Sequence, residues 1–231
     1  MRLLVLAAAA AVAAAQLTPI PARYDGWKIG NADAPILVEA FFDLMCPDSR
    51  AANPTMKALR SFYGPAKVQF VQHIFPLPYH LSATWVAAEG VEIVSHLQGA
   101  PAVWKWIDAV FANQESFGYD YSINATRAQL NAKFGQLYAT TFGASASAFV
   151  NAYADPTLYN NARISWKYGC SRGVSGTPFF FVNGVLTDAS ADWSLSQWQA
   201  LIDPLLADPS LPAQTMAKAV APDTGAMSLV A

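Results

Sequence analysis

The 231-residue chain carries two cysteines, Cys46 and Cys170, and these are the side chains whose spacing and setting could support thiol chemistry. Cys46 lies in ILVEAFFDLMCPDSR, residues 36–50, where an apolar, β-prone run gives way to a helical pattern. A cysteine at a strand-to-helix turn meets backbone N–H groups that lack intrahelical partners, and the helix dipole there favours negative charge. That setting favours thiolate over thiol and makes Cys46 a candidate nucleophile. Pro47 suits the first helical turn, where a missing N–H is no loss. Ser49, about one turn along, is placed to donate a hydrogen bond to the thiolate. The Asp48 carboxylate works against a second negative charge nearby. The alternative for Cys46 is a buried, inert thiol.

Cys170 stands at the end of a helical pattern shortly before Pro178. It is a candidate resolving cysteine, or the partner of Cys46 in a disulfide if their Cα atoms approach within about 7 Å. Its position at a helix end favours instead a small buried thiol packed under a sheet. The histidines, His73, His80 and His96, show no zinc-ligand spacing with these cysteines, so no metal is expected. His80 could sit near Cys46, but a packed, hydrogen-bonded histidine is the plainer expectation. No spacing assembles a Cys-His-Asp hydrolase triad. Asn124-Ala125-Thr126 is an N-glycosylation sequon, with Asn124 as the acceptor.

Three segments together resemble a known family. IGNADAPILVEAFFDLMCPDS, residues 29–49, is similar to the opening of the DsbA-like branch of the thioredoxin superfamily. GVSGTPFFFVNG, residues 173–184, resembles its cis-proline loop and following strand, and HIFPLPYH, residues 73–80, the segment after its second strand. CPDS combined with SRGVSGTPFFFVNG is similar to a eukaryotic group of thioredoxin-like proteins. The resemblance spans residues 24–206 and departs at one point: Ser49 stands where the usual Cys-x-x-Cys site has its second cysteine.

The resemblance implies an α/β, thioredoxin-like fold with an inserted helical domain. It also implies a cis Thr177–Pro178 bond in a loop that binds substrate; the residues alone do not, because most X–Pro bonds are trans. The activity implied is that of an exported thiol–disulfide oxidoreductase or isomerase acting on exported protein or peptide thiols and disulfides. Without a second cysteine at position 49, Cys46 could attack a disulfide but could not release the mixed disulfide locally. Glutathione or another thiol would then resolve it, as co-substrate, with no other cofactor. Two alternatives stand beside this one: a redox-inactive peptide-binding or chaperone module, and a glutathione-conjugating enzyme on the same fold.

The flanking segments set the context. Met1-Arg2 followed by LLVLAAAAAVAAA reads as a signal peptide over residues 1–15, with cleavage after Ala15. Its apolar run falls short of the ~20 residues that span a bilayer, so stable membrane insertion is not expected. The chain is expected in the secretory pathway or outside the cell, where disulfides persist. The formal charge of −2 and the lack of a basic run give no footing for nucleic acid or an anionic membrane surface. Nothing in the residues fixes an oligomeric state.

Residues 16–34 read as an N-terminal arm, 35–79 and 165–206 as the thioredoxin-like domain, 80–164 as the inserted helical domain, and 207–231 as a mobile tail. Strands are expected at 36–42 and 68–74 around a helix at 50–62, forming a right-handed βαβ unit. Helical spacing follows at 81–97, 101–113, 126–142, 144–153 and 157–168. Trp85, Trp104, Trp106 and Phe111 are expected to fill the core of that helical block. A strand at 179–182 turns through Asn183-Gly184 into 185–187, and a last helix covers 195–206.

Overall fold

The computed structural model describes residues 19–21 and 23–208. The expected signal peptide and all but the first two residues of the expected tail lie outside the described residues. The described part contains a five-stranded sheet whose strands lie in the order Trp27–Ile29 (β1), Val68–Ile74 (β3), Ile36–Phe42 (β2), Phe179–Val182 (β4) and Val185–Leu186 (β5). β2 (Ile36–Phe42) and β3 (Val68–Ile74) run parallel, with Val38 opposite Phe70. Both are apolar enough to be covered on two faces, as parallel strands require. α1 (Pro47–Tyr63) makes the crossover between them. β4 (Phe179–Val182) pairs antiparallel with the other edge of β2, placing Val38 opposite Val182 and Phe41 opposite Phe179. Asn183, at φ 48°, and Gly184, at φ 80°, turn the chain into β5 (Val185–Leu186), the left-handed pair that a tight hairpin needs.

The expectation of an arm over residues 16–34 is corrected. That stretch contributes β1 (Trp27–Ile29), antiparallel to β3. Of its three residues Trp27 alone is buried, so no alternation marks it in the sequence. Gly26 and Gly30 bracket it at φ 88° and 99°, and a Cβ at Gly26 would meet Val71 at 2.6 Å. Glycine lets the strand lie this close to β3.

Between β3 and β4 lie six α-helices among the described residues. They are α2 (Leu81–Gln98), α3 (Ala102–Ala112), α4 (Tyr119–Ser122), α5 (Arg127–Phe142), α6 (Ala146–Ala152) and α7 (Pro156–Ser171). Thr126 and Gln129 form a reciprocal capping box that starts α5, and Gly143 in the left-handed region ends it. Trp106 is fully buried, with Phe134, Tyr138, Phe142 and Phe149 rings between 5.3 and 6.5 Å from it. Phe111 is buried as expected. Trp85 and Trp104 are not: each is half-buried at an edge, Trp85 against Tyr159 and Trp104 under the Arg60 guanidinium at 4.4 Å. One continuous core joins the sheet residues Val38, Phe42 and Phe70 to Trp106 and Phe134. The helices therefore brace the sheet directly. α8 (Leu195–Leu206), capped by Ser194 and Gln197, inserts the buried Trp198 against Phe180. No helix among the described residues is long and apolar enough to cross a membrane.

Candidate active site

Cys46 is the N-cap residue of α1, with extended backbone angles, and Pro47 occupies the first helical position. Its N–H closes a turn onto the Asp43 carbonyl at 3.1 Å, and its own carbonyl accepts from Arg50 N–H at 3.1 Å. Gln114, just beyond α3, reaches across and donates to the carbonyls of both Leu44 and Cys46 at 2.9 Å. The helical block thus fixes the loop that carries the thiol. Cys46 is 4% exposed, and its Sγ–H donates to the Thr177 carbonyl at 3.3 Å. Thr177–Pro178 is cis, as the resemblance implies. β2 and β4 pair side by side, which brings residues 46 and 177 together from opposite ends of the chain.

Asp48 is exposed in the first turn of α1. Ser49 is fully buried, and the hydrogen bond expected from it to Cys46 is replaced. Its Oγ accepts from Asp43 N–H at 3.3 Å, while Sγ faces Thr177. Ser49 therefore shapes the turn below the cysteine.

Asp43 is the hub of this loop. Its fully buried carboxylate accepts from Met45 N–H at 2.8 Å, Leu77 N–H at 2.9 Å, Thr84 Oγ1 at 2.5 Å and His80 Nδ1 at 2.6 Å. Buried charge is tolerated where each lone pair is occupied in this way. Beside Cys46 opens a cleft of about 310 Å³ lined by Met45, Pro47, Tyr79, His80, Gln114 and Tyr119.

A second buried cluster ties β2 to α7. Glu39 Oε1 accepts from Tyr24 at 2.7 Å, Arg172 at 3.1 Å and His73 Nε2 at 3.3 Å. His73 Nδ1 meets Asp25 at 2.7 Å, and Phe41 stacks on the ring with centroids 4.2 Å apart. Burial alone would push Glu39 up. The hydrogen bonds from His73, Arg172 and Tyr24 outweigh it and hold the carboxyl at about 2. Burial would likewise push His73 down, but Asp25 and Glu39, one at each ring nitrogen, raise it. Arg172 caps α7 just before the loop that leads to Pro178. The cluster clamps the strand leading to Cys46 against the helix leading to Thr177.

Cys170 corrects the expectation of a buried thiol. It is exposed on the last turn of α7, and both cysteines are free. Gly169 takes the inward position against the Phe75 ring, so the next residue turns outward. What contact its sulfur makes pushes the Cys170 thiol up by desolvation. Asn124 is exposed ahead of α5.

Sequence reasoning did not reach Asp43, Glu39, Arg172 or Gln114, and it gave His73 no partner. Glu39 had a signal, a lone carboxylate inside an otherwise apolar strand. Gln114 had none.

A family model described as Thioredoxin matches residues 23–204. No curated protein matches the chain. Among solved structures, a protein from Pseudomonas syringae assigned as a protein-disulfide isomerase has 23% identity and a TM-score of 0.66, covering 77% of this chain and 98% of its own. Wolbachia pipientis alpha-DsbA1 has 19% identity and a TM-score of 0.64, with 82% and 93% covered. BdbD from Bacillus subtilis has 16% identity and a TM-score of 0.60, with 79% and 98% covered. These likenesses show the fold. The match over residues 23–204 shows the family: the chain belongs to the thioredoxin family.

Proposed function

We propose that this chain is an exported thiol–disulfide oxidoreductase or isomerase that works through one cysteine. The observation that carries the proposal is the position of Cys46 Sγ, at the start of α1 and 3.3 Å from the Thr177 carbonyl. The helix start favours a thiolate there. The Thr177 carbonyl beside it is a backbone acceptor on which an extended substrate could pair. Cys46 attacks a disulfide in an exported protein or peptide and forms a mixed disulfide. Ser49 offers no second thiol, and Cys170 lies exposed at the end of α7, so an external thiol such as glutathione completes the exchange. The export step rests on residues 1–15 as a signal peptide.

The test is exchange between a disulfide-bonded peptide and glutathione, with adducts mapped by mass spectrometry. The proposal expects peptide mixed disulfides on Cys46, turnover abolished in Cys46→Ser, and turnover kept in Cys170→Ser. Equal turnover in Cys46→Ser, or turnover lost only in Cys170→Ser, refutes it.

A further inference from the structure

We propose that His80 is the proton donor and acceptor for exchange at Cys46, held in place by the buried carboxylate of Asp43. The proposal rests on Cys46 being the exchange nucleophile. Thiol–disulfide exchange depends on the leaving sulfur: the more basic the departing thiolate, the more slowly it leaves, and a proton supplied as the S–S bond breaks offsets that basicity. A group that can hand over that proton and take one back removes the obstacle.

Three observations meet at His80. Its Nδ1 lies 2.6 Å from Asp43 Oδ2, and the same carboxylate accepts from Leu77 N–H, Met45 N–H and Thr84 Oγ1. An acceptor so occupied fixes Nδ1 as the donor and leaves Nε2 to carry the exchanging proton. His80 also lines the same 310 Å³ cleft as Met45 and Pro47, the two neighbours of Cys46, and its side chain is 20% exposed. Finally, the next residue, Leu81, has φ 60° and ψ −163°, a region that belongs almost wholly to glycine. Strained backbone of this kind persists where the surroundings over-determine it. Here it sits between His80 and Thr84, two of the ligands of Asp43. The other ionisable groups facing the cleft are Tyr79, whose ring meets His80 edge-on, Tyr119, and Arg50 paired with Glu115 at 3.2 Å.

The chemistry balances without an added oxidant or reductant. Cys46 Sγ passes its proton to Nε2 and attacks one sulfur of a substrate disulfide. The Cys46–substrate S–S bond forms as the substrate's own S–S bond breaks, and the leaving thiolate takes the proton from Nε2. An incoming thiol then gives its proton to Nε2 and attacks the substrate sulfur, and Cys46 leaves and recovers that proton. One disulfide is consumed and one formed. His80 touches the transferring protons; Asp43 is a positioning residue.

The leaving group supplies the test. The full-length chain is reacted with a dialkyl disulfide, whose thiolate needs a proton, and with a diaryl disulfide, whose thiolate does not. The ratio of the two rates cancels any change in how much Cys46 is ionised. For His80→Gln, with His80→Asn as a second variant should the first not fold, we expect the alkyl-to-aryl ratio to fall at least tenfold, a bound set below the about 10²-fold or more that general acid catalysis supplies. A ratio within twofold of wild type in a folded variant overturns the proposal, whether both rates drop together or neither does. Should wild type show no Cys46-dependent reaction with either disulfide, the exchange reading itself fails and this proposal with it.

Discussion

Glu39→Gln is the sharpest probe of how the two halves of the site are held together. The substitution keeps the side-chain shape and removes the charge that faces Arg172 and His73. In the folded chain the carboxyl is held at about 2 against an ordinary 4.5. That interval corresponds to about 3 kcal/mol. Glu39 is 1% exposed but Arg172 is 22% exposed, so solvent screens part of it, and we take about 2 kcal/mol. A depressed carboxylate contributes its stability above the unfolded value and loses it as pH falls through the folded one. The gap between wild type and Glu39→Gln should therefore be full at pH 7 and under half as large at pH 3. Urea unfolding followed by tryptophan fluorescence reads it as a midpoint about 1 M lower at pH 7, for a slope of about 2 kcal/mol/M. A gap below about 0.5 kcal/mol at pH 7, or one that is equal at pH 3 and pH 7, refutes the clamp.

Further outcomes follow from other contacts. His73 is raised, so its contribution is full below the ordinary imidazole value of ~6.5 and is lost as pH rises through its folded value. Wild-type stability should decline over that interval, and His73→Gln should flatten the decline in the same urea assay. Gly169→Ala drives a methyl into Phe75, an overpacking of about 1–3 kcal/mol that the better helix propensity of alanine offsets by about 1. A drop in Tm of about 4 °C is expected by calorimetry; an unchanged or higher Tm contradicts the packing. Expressed in a eukaryotic secretory host, the chain should carry a glycan at the exposed Asn124. Its electrophoretic mobility should shift on enzymatic deglycosylation, and Asn124→Gln should abolish that shift.

The parts of the fold most legible in the sequence are those with a strong local pattern. ILVEAFF and VQFVQHI are strands with the bounds their apolar runs suggest, and Asn183-Gly184 turns where expected. α8 covers residues 195–206 because a capping box starts it and its buried residues recur at helical spacing. β1 was not legible, since three residues with one buried side chain have no period to detect. At the site, Cys46 and Thr177 could be named because strand-to-helix turns and pre-strand prolines leave local marks. What surrounds them is set by pairing over long sequence distances. Asp43 gathers partners from the segment after β3 and from α2, and Glu39 gathers partners from β3 and α7. Cys170 shows the converse. A cysteine at a helix end reads as buried until the neighbouring Gly169 is seen to claim the inward face.

The central claim, a nucleophile at Cys46, is tested most directly by the relative modification rates of the two cysteines in the native chain. Brief reaction with oxidised glutathione at neutral pH, followed by peptide mass spectrometry, gives both rates in one sample. The account predicts that the nearly buried Cys46 is glutathionylated at least tenfold faster than the exposed Cys170, whose thiol desolvation pushes up. Modification of Cys170 first, with Cys46 reacting only after denaturation, would contradict it.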